Sequence, residues 1–147
     1  MELAKRLIDE AAESGAHAAK FQSYKAEKIA SKNSPAYWDT SKEPTESQFK
    51  LFQKYDNFEE SDYVELADYC KIKNIEFMST PFDLDAVDFL NPLMNAFKIA
   101  SADITNVPLI RKCAAMGKPL IISTGAASLP EIEFAVQIAK EAGAKKI

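Results

Sequence analysis

Hydrophobic positions recur along this chain at two spacings that alternate. Leu3, Leu7, Ile8, Ala11 and Ala12 fall on one face at helical spacing, and Gly15 stands where such a helix would stop. Residues 16–24 form an apolar run with Lys20 and Gln22 inside it, which predicts a buried strand with a polar C-terminal end. Residues 25–43 lose all periodicity and hold Lys, Ser, Asn and Pro with Tyr37 and Trp38 among them. They are expected to form a long loop, of the kind that in compact domains is functional or mobile. Thr45-Glu46-Ser47-Gln48 reads as a capping box opening a short helix through Phe52. A further helix is expected from near Ser61, with Val64, Ala67 and Cys70 as its apolar stripe and Asn74 as its end.

The rest of the chain repeats one unit. Strands are predicted over 75–79, 96–100 and 119–123, and helices over 83–90 and 107–116, the latter stopped by Gly117. Ser128-Leu129-Pro130-Glu131 is a second capping box, with Pro130 in the first turn, where its missing N–H costs nothing. The helix it opens carries Ile132, Ala135, Val136 and Ala139 inward and stops at Gly143, and residues 144–147 read as the start of another strand. Strands alternating with helices imply βαβ units and a parallel sheet. Their apolar runs lack in/out alternation, which implies a sheet covered on both faces. No Gly/Ser linker or low-complexity tract marks a domain boundary.

A doubly wound sheet usually carries a glycine-rich turn after its first strand. The chain has four glycines and none forms G-x-G-x-x-G. A (β/α)8 TIM barrel instead spreads functional side chains over the C-terminal ends of several strands. Lys20 and Gln22, Ser79 and Thr80, Lys98 and Ser101, and Ser123 and Thr124 follow that pattern. A barrel takes about 250 residues, so 147 residues are expected to form about half of one. The expected fold class is α/β, a partial (β/α)8 barrel opening on a helix without its strand and ending on a strand without its helix.

Composition narrows the partners. Eighteen Lys and Arg against 22 Asp and Glu give a formal net charge of -4, which disfavours nucleic acid as a partner, since phosphate needs a surplus of cations. No apolar run approaches the roughly 20 residues of a membrane span, and the N-terminus lacks the apolar core of a signal peptide. Cys70 and Cys113 form no C-x-x-C motif. Isolated thiols without a secretion signal point to a cytoplasmic setting, with both cysteines in the core.

Lys98 sits in the middle of Ala96-Phe97-Lys98-Ile99-Ala100, where an ammonium is costly to bury unless something anionic meets it. It is open to three readings: an ion pair to Asp103 or Asp83, an anion-binding cation, or a Schiff-base nucleophile. Lys20 repeats the pattern in Ala18-Ala19-Lys20-Phe21-Gln22. Two strand lysines with Thr80, Ser101 and Ser123 would build a cup of donors suited to a phosphate or carboxylate. His17, the only histidine, reads as a packing residue, and no histidine pair offers metal-ligand spacing. Tyr37 and Trp38 would either line a ligand or cover the rim. Asp83, Asp85 and Asp88 read as charge matched to a helix N-terminus.

Four motifs occur in order: Lys20-Phe21-Gln22; Phe77-Met78-Ser79-Thr80-Pro81-Phe82-Asp83; Phe97-Lys98-Ile99-Ala100-Ser101-Ala102-Asp103; and Gly117 through Gly125 with Ser123-Thr124-Gly125 at its end. Nearly the whole chain resembles the catalytic barrel of the sialic acid synthase family, which includes N-acetylneuraminate, legionaminate and pseudaminate synthases. The resemblance implies condensation of phosphoenolpyruvate with an N-acylated mannosamine-type sugar and release of phosphate. It implies that Lys20, Thr80, Lys98, Ser101 and Ser123 bind phosphoenolpyruvate, that Gln22 lies at the sugar end, and that Lys98 forms no imine. A divalent metal, Mn2+, would polarise the sugar aldehyde, held by histidines outside this sequence. The first strand with its Glu and Asn-His motif, the last strands and the C-terminal antifreeze-like domain are likewise absent from residues 1–147. The resemblance implies a homodimer for the intact protein and an inactive segment on its own. Two other readings remain from the residues: a class I aldolase-type or other phosphate-binding barrel using Lys98, and a non-catalytic anion-binding module.

Overall fold

Four strands and seven helices alternate in the computed structural model, which describes all 147 residues. In chain order they are α1 (Glu2–Glu13), β1 (Ala18–Ser23), α2 (Ala26–Ile29), α3 (Gln48–Tyr55), α4 (Glu60–Ile72), β2 (Glu76–Pro81), α5 (Leu84–Leu90), β3 (Phe97–Ile99), α6 (Val107–Ala115), β4 (Leu120–Ile122) and α7 (Leu129–Glu141). Short 3-10 turns over Asn91–Leu93 and Ser101–Asp103 bracket β3. Strand β1 pairs in parallel with β2, with Ala18 opposite Glu76 and Ser23 opposite Pro81. Strand β3 pairs in parallel with β4, with Phe97 opposite Leu120 and Ile99 opposite Ile122. No ladder joins β2 to β3, which pack side by side. There the Ser79 N–H donates to the Met94 sulfur at 3.4 Å.

Alternate strand residues face the helices and build the core. Ala19, Phe77, Phe97, Ile99 and Leu120 are buried there against Ile8, Leu66, Val87, Leu90, Leu109 and Ile110. Each large side chain so buried contributes roughly 1.5–3 kcal/mol of hydrophobic stabilisation. The intervening positions face the other way, and Lys20, Gln22 and Ile121 are exposed. The strands therefore alternate between a core-facing row and a row turned away from the helices, where the sequence predicted apolar runs without alternation. The apolar runs had hidden the alternation because Met78 and Ile121 also point to the open side.

Two helix faces differ from expectation. In α1 the buried positions are Ala4 and Ile8, while Leu3 and Leu7 are 67% and 59% exposed. Helix α4 buries Tyr63, Leu66, Ala67 and Cys70, and Val64 lies outside that stripe. In α7, Ala135, Ile138 and Ala139 are buried and Ile132 packs at the margin. Two helix starts differ from expectation because other residues cap them. The N-cap of α3 is Ser47, whose hydroxyl accepts from the Lys50 N–H at 3.2 Å, while Thr45 donates to the Glu43 carboxylate. Helix α4 begins at Glu60, with the Asp62 carboxylate accepting from the Glu59 N–H at 2.8 Å.

The segment expected to be an unbroken loop contains α2. An ionic cluster holds it: Lys25 meets Asp56 at 3.2 Å and Glu59 at 3.1 Å, and the Ala26 N–H donates to Asp56 at 2.9 Å. Further along, the Trp38 indole donates to the Glu43 carbonyl at 3.0 Å, and Tyr37 stands edge-on to it, 74% exposed. Residues 144–147 form no strand, although the Lys146 carbonyl accepts from the Leu120 N–H at 3.0 Å. Cys70 and Cys113 are buried and unpaired, and burial pushes their thiols up to about 11 and about 12, which makes both unreactive. No helix is long and apolar enough to cross a membrane.

Candidate functional site

The registers place the two strand lysines on one face. Lys20 stands opposite Met78, Gln22 opposite Thr80 and Lys98 opposite Ile121. Phe97 and Ile99 turn fully into the core, so Lys98 between them points to the helix-free side. Its ammonium donates to the Ile99 carbonyl at 2.7 Å and to the Ser123 hydroxyl. The Ser123 N–H donates to the same Ile99 carbonyl at 3.1 Å, so the backbone ladder itself holds Ser123 beside Lys98.

No carboxylate pairs with Lys98, and the ion-pair reading fails. Asp83 accepts from the Asp85 and Ala86 N–H groups at 2.9 and 3.0 Å as the cap of α5, and lies 3.6 Å from Lys28. Asp103 accepts from the Asn106 amide at 3.1 Å. Burial, and secondarily the Lys20 cation nearby, lower the proton affinity of Lys98. Two ammoniums stand on one face with only neutral partners, Lys20 with the Phe21 carbonyl and Lys98 with the Ile99 carbonyl and Ser123, an arrangement of unneutralised cations suited to an anion.

The hydroxyl candidates divide. Thr80 is buried at the end of β2, on the face of Gln22. Ser101 opens the turn after β3, and a methyl group added at Gly125 would lie 3.4 Å from its Oγ, so the loop after β4 packs directly on it. Lys98 and Ser123 are in direct contact, Ser101 lies in the turn after β3, and Thr80 lies at the C-terminal end of β2, with Lys20 and Gln22 on its partner β1. Ser79 does not join them: its hydroxyl bonds that of Ser23 at 2.7 Å on the helix side. His17 precedes β1, at the opposite end, and is exposed rather than packed.

One contributor had no signal in the sequence. The Tyr63 phenol, buried in α4, donates to the Gln22 carbonyl at 2.8 Å and fixes the end of β1. A tyrosine inside an apolar stripe reads as packing until the strand it touches is known. No group of three or more His, Cys, Asp or Glu side chains comes together to hold a metal. The residues present therefore fit an anion and do not by themselves fit a cation. Ammoniums flanked by hydroxyls suit carboxylate and phosphate oxygens.

Comparison with known proteins places the chain among sugar-acid synthases. N,N'-diacetyllegionaminic acid synthase of Campylobacter jejuni is 44% identical over 150 residues, covering 99% of this chain and 44% of that protein. The enzyme of the same name from Legionella pneumophila is 38% identical, covering 95% and 40%. Among solved structures, the N-acetylneuraminic acid (sialic acid) synthetase of Leptospira borgpetersenii in complex with citrate superposes with a TM-score of 0.78 at 34% identity, over 96% of this chain and 45% of that one. The chain spans less than half the length of these relatives. The NeuB family model matches residues 7–147, including all four strand ends that build the site, and the chain belongs to the NeuB family.

Proposed function

We propose that the protein is a nonulosonic acid synthase that condenses phosphoenolpyruvate with the open-chain aldehyde of an N-acylated mannosamine-type sugar. The observation that carries this reading is Lys98, half-buried beside Lys20 with a carbonyl and a hydroxyl as its only partners. Phosphoenolpyruvate is an anion that fits these cations, with a carboxylate and a phosphate ester on the same carbon, C2. Lys20, Thr80, Lys98, Ser101 and Ser123 bind it, and Gln22 faces the sugar. C3 of phosphoenolpyruvate attacks the aldehyde carbon and a C–C bond forms, while the aldehyde oxygen takes a proton and becomes a hydroxyl. Water adds at C2, and cleavage of the C2–O bond releases phosphate and leaves a 2-keto acid. Fixed cations on the phosphate and carboxylate favour this path by positioning and by charge stabilisation that requires no reorganisation.

We read the four parallel strands, neighbours in chain order, as part of a (β/α)8 barrel belonging to a longer, homodimeric, cytoplasmic polypeptide. This accords with relatives more than twice as long. The Mn2+ expected from the resemblance finds no ligand set among these residues, and no step above runs through it. The lowered proton affinity of Lys98 also favours a second reading, an aldolase-type imine.

The test is phosphate release from phosphoenolpyruvate by the full-length protein with Mn2+. Release that requires an N-acylated sugar supports the synthase. Sugar-independent release, or none, contradicts it, and borohydride trapping of a keto substrate on Lys98 would establish the imine instead.

A further inference from the structure

Like Lys98, Lys118 is half-buried and bonds only neutral groups. It stands just before β4, and its ammonium donates to the Met94 carbonyl at 2.7 Å and to the Asn91 carbonyl. Both carbonyls belong to the turn that follows α5, and a helix end leaves such carbonyls unbonded and favours a cation beside them. That turn feeds Met94 into the gap between β2 and β3. Met94 is buried, and its sulfur accepts from the Ser79 N–H at 3.4 Å where no ladder joins the two strands. Sulfur is a weak acceptor, so this contact depends on where the turn holds Met94. The Ser79 hydroxyl is bonded to that of Ser23 at 2.7 Å, so the residue before Thr80 is gripped at both its N–H and its side chain. On the other side, the Pro119 carbonyl accepts from the Phe97 N–H at 2.9 Å, one residue before Lys98. Lys118 and Pro119 thus hold the spacer between β2 and β3 with one group and the start of β3 with the next.

We propose that Lys118 is a positioning residue of the anion cup and sets, through Met94, the separation of Thr80 on β2 from Lys98 on β3. The inference rests on the synthase reading, which names phosphoenolpyruvate as the anion and Thr80 and Lys98 among its ligands. Backbone ladders fix the rest of the cup: β1 pairs with β2, which sets Lys20 and Gln22 against Thr80, and β3 pairs with β4, which sets Lys98 against Ser123. The junction of β2 with β3 has no ladder, so another element must fix the distance across it. A buried side chain held in place by a charge-assisted contact supplies that element. Lys118 lies at the opposite end of β4 from Ser123 and does not touch the anion. Its effect on binding is transmitted by the turn, by Met94 and by the backbone of Ser79.

The experiment titrates phosphoenolpyruvate calorimetrically into the full-length protein. Lys118→Met keeps the length of the side chain and removes its donors, and is expected to raise Kd by about two- to thirtyfold. A merely structural role would lower the melting temperature or the fraction of competent protein, which the titration reads as stoichiometry, and would leave Kd unchanged. Thr80→Val supplies the second readout. Because Lys118 acts by placing Thr80, the double variant loses less affinity than the product of the two single losses. Should Lys118→Met fail to fold, Met94→Leu removes only the sulfur that accepts from Ser79, and it is expected to raise Kd and to overlap with Thr80→Val in the same way. Wild-type binding that these variants leave unchanged, or losses that simply multiply with that of Thr80→Val, overturns the positioning role alone. No binding of phosphoenolpyruvate by the wild type overturns the synthase reading and the positioning role with it, which separates the two failures.

Discussion

The proposed role of Lys98 sets binding against stability. Its ammonium is partly desolvated, faces another cation and has no counter-ion. Lys98→Met is therefore expected to leave the unliganded full-length protein as stable as wild type or more so in urea titration. The pH dependence has a definite sign. The folded value lies below the ordinary 10.5, so the unfolded chain holds this proton to higher pH than the folded one. The contribution of this group to stability is then complete above pH 10.5 and is lost as pH falls through the lowered value. Affinity for phosphoenolpyruvate runs the opposite way and declines as Lys98 deprotonates, in a window below pH 10.5; calorimetric titration across pH 8–11 checks it. A decline that starts no earlier in wild type than in Lys98→Arg would contradict the assignment. Lys98 and Lys20 stood out in the sequence because a cation amid strand-forming apolar residues has few bland explanations. Tyr63 and the partners of Ser79 did not, because a side chain's burial says nothing of which strand it will touch.

At the scale of elements, caps and strand ends position the site. Asp83 accepts two backbone N–H groups and fixes the turn from β2 into α5. Asp83→Ala is expected to cost about 1 kcal/mol in chemical denaturation of the full-length protein; an unchanged midpoint would show that the cap contributes nothing. Tyr63→Phe removes the bond to the Gln22 carbonyl and is expected to cost roughly 0.5–1.5 kcal/mol. It should raise KM for the sugar more than for phosphoenolpyruvate if Gln22 lies on the sugar side, as proposed. Equal effects on both would contradict that placement. The alternation of strands and helices was legible because apolar runs and 3.6-residue stripes separate cleanly after residue 75. Helix α2 was missed because four residues are too few to show a period. Of the expected α1 face, Ile8, Ala11 and Ala12 do turn to the core, whereas Leu3 and Leu7 point outward and the small Ala4 takes the inner position.

At the scale of the whole chain, the 147 residues leave large apolar side chains exposed, among them Leu3, Leu7, Ile72, Ile121, Leu129 and Phe134. An apolar surface of this kind seeks a partner. The 147-residue chain expressed by itself is expected to self-associate in sedimentation velocity and to release no phosphate; a monodisperse monomer, or metal-dependent turnover, would contradict this. The parallel order of the strands was legible in the sequence, whereas the in-and-out alternation depends on which residues of each strand turn away from the helices, and that required the register. The central claim is that the strand-end cup holds phosphoenolpyruvate, and equilibrium binding tests it most directly. Phosphoenolpyruvate titrated into the full-length protein should bind, and Lys98→Met and Lys20→Met should each weaken it by roughly 1.5–3 kcal/mol, about ten- to a hundredfold in Kd. Binding that survives both substitutions unchanged would place the anion elsewhere.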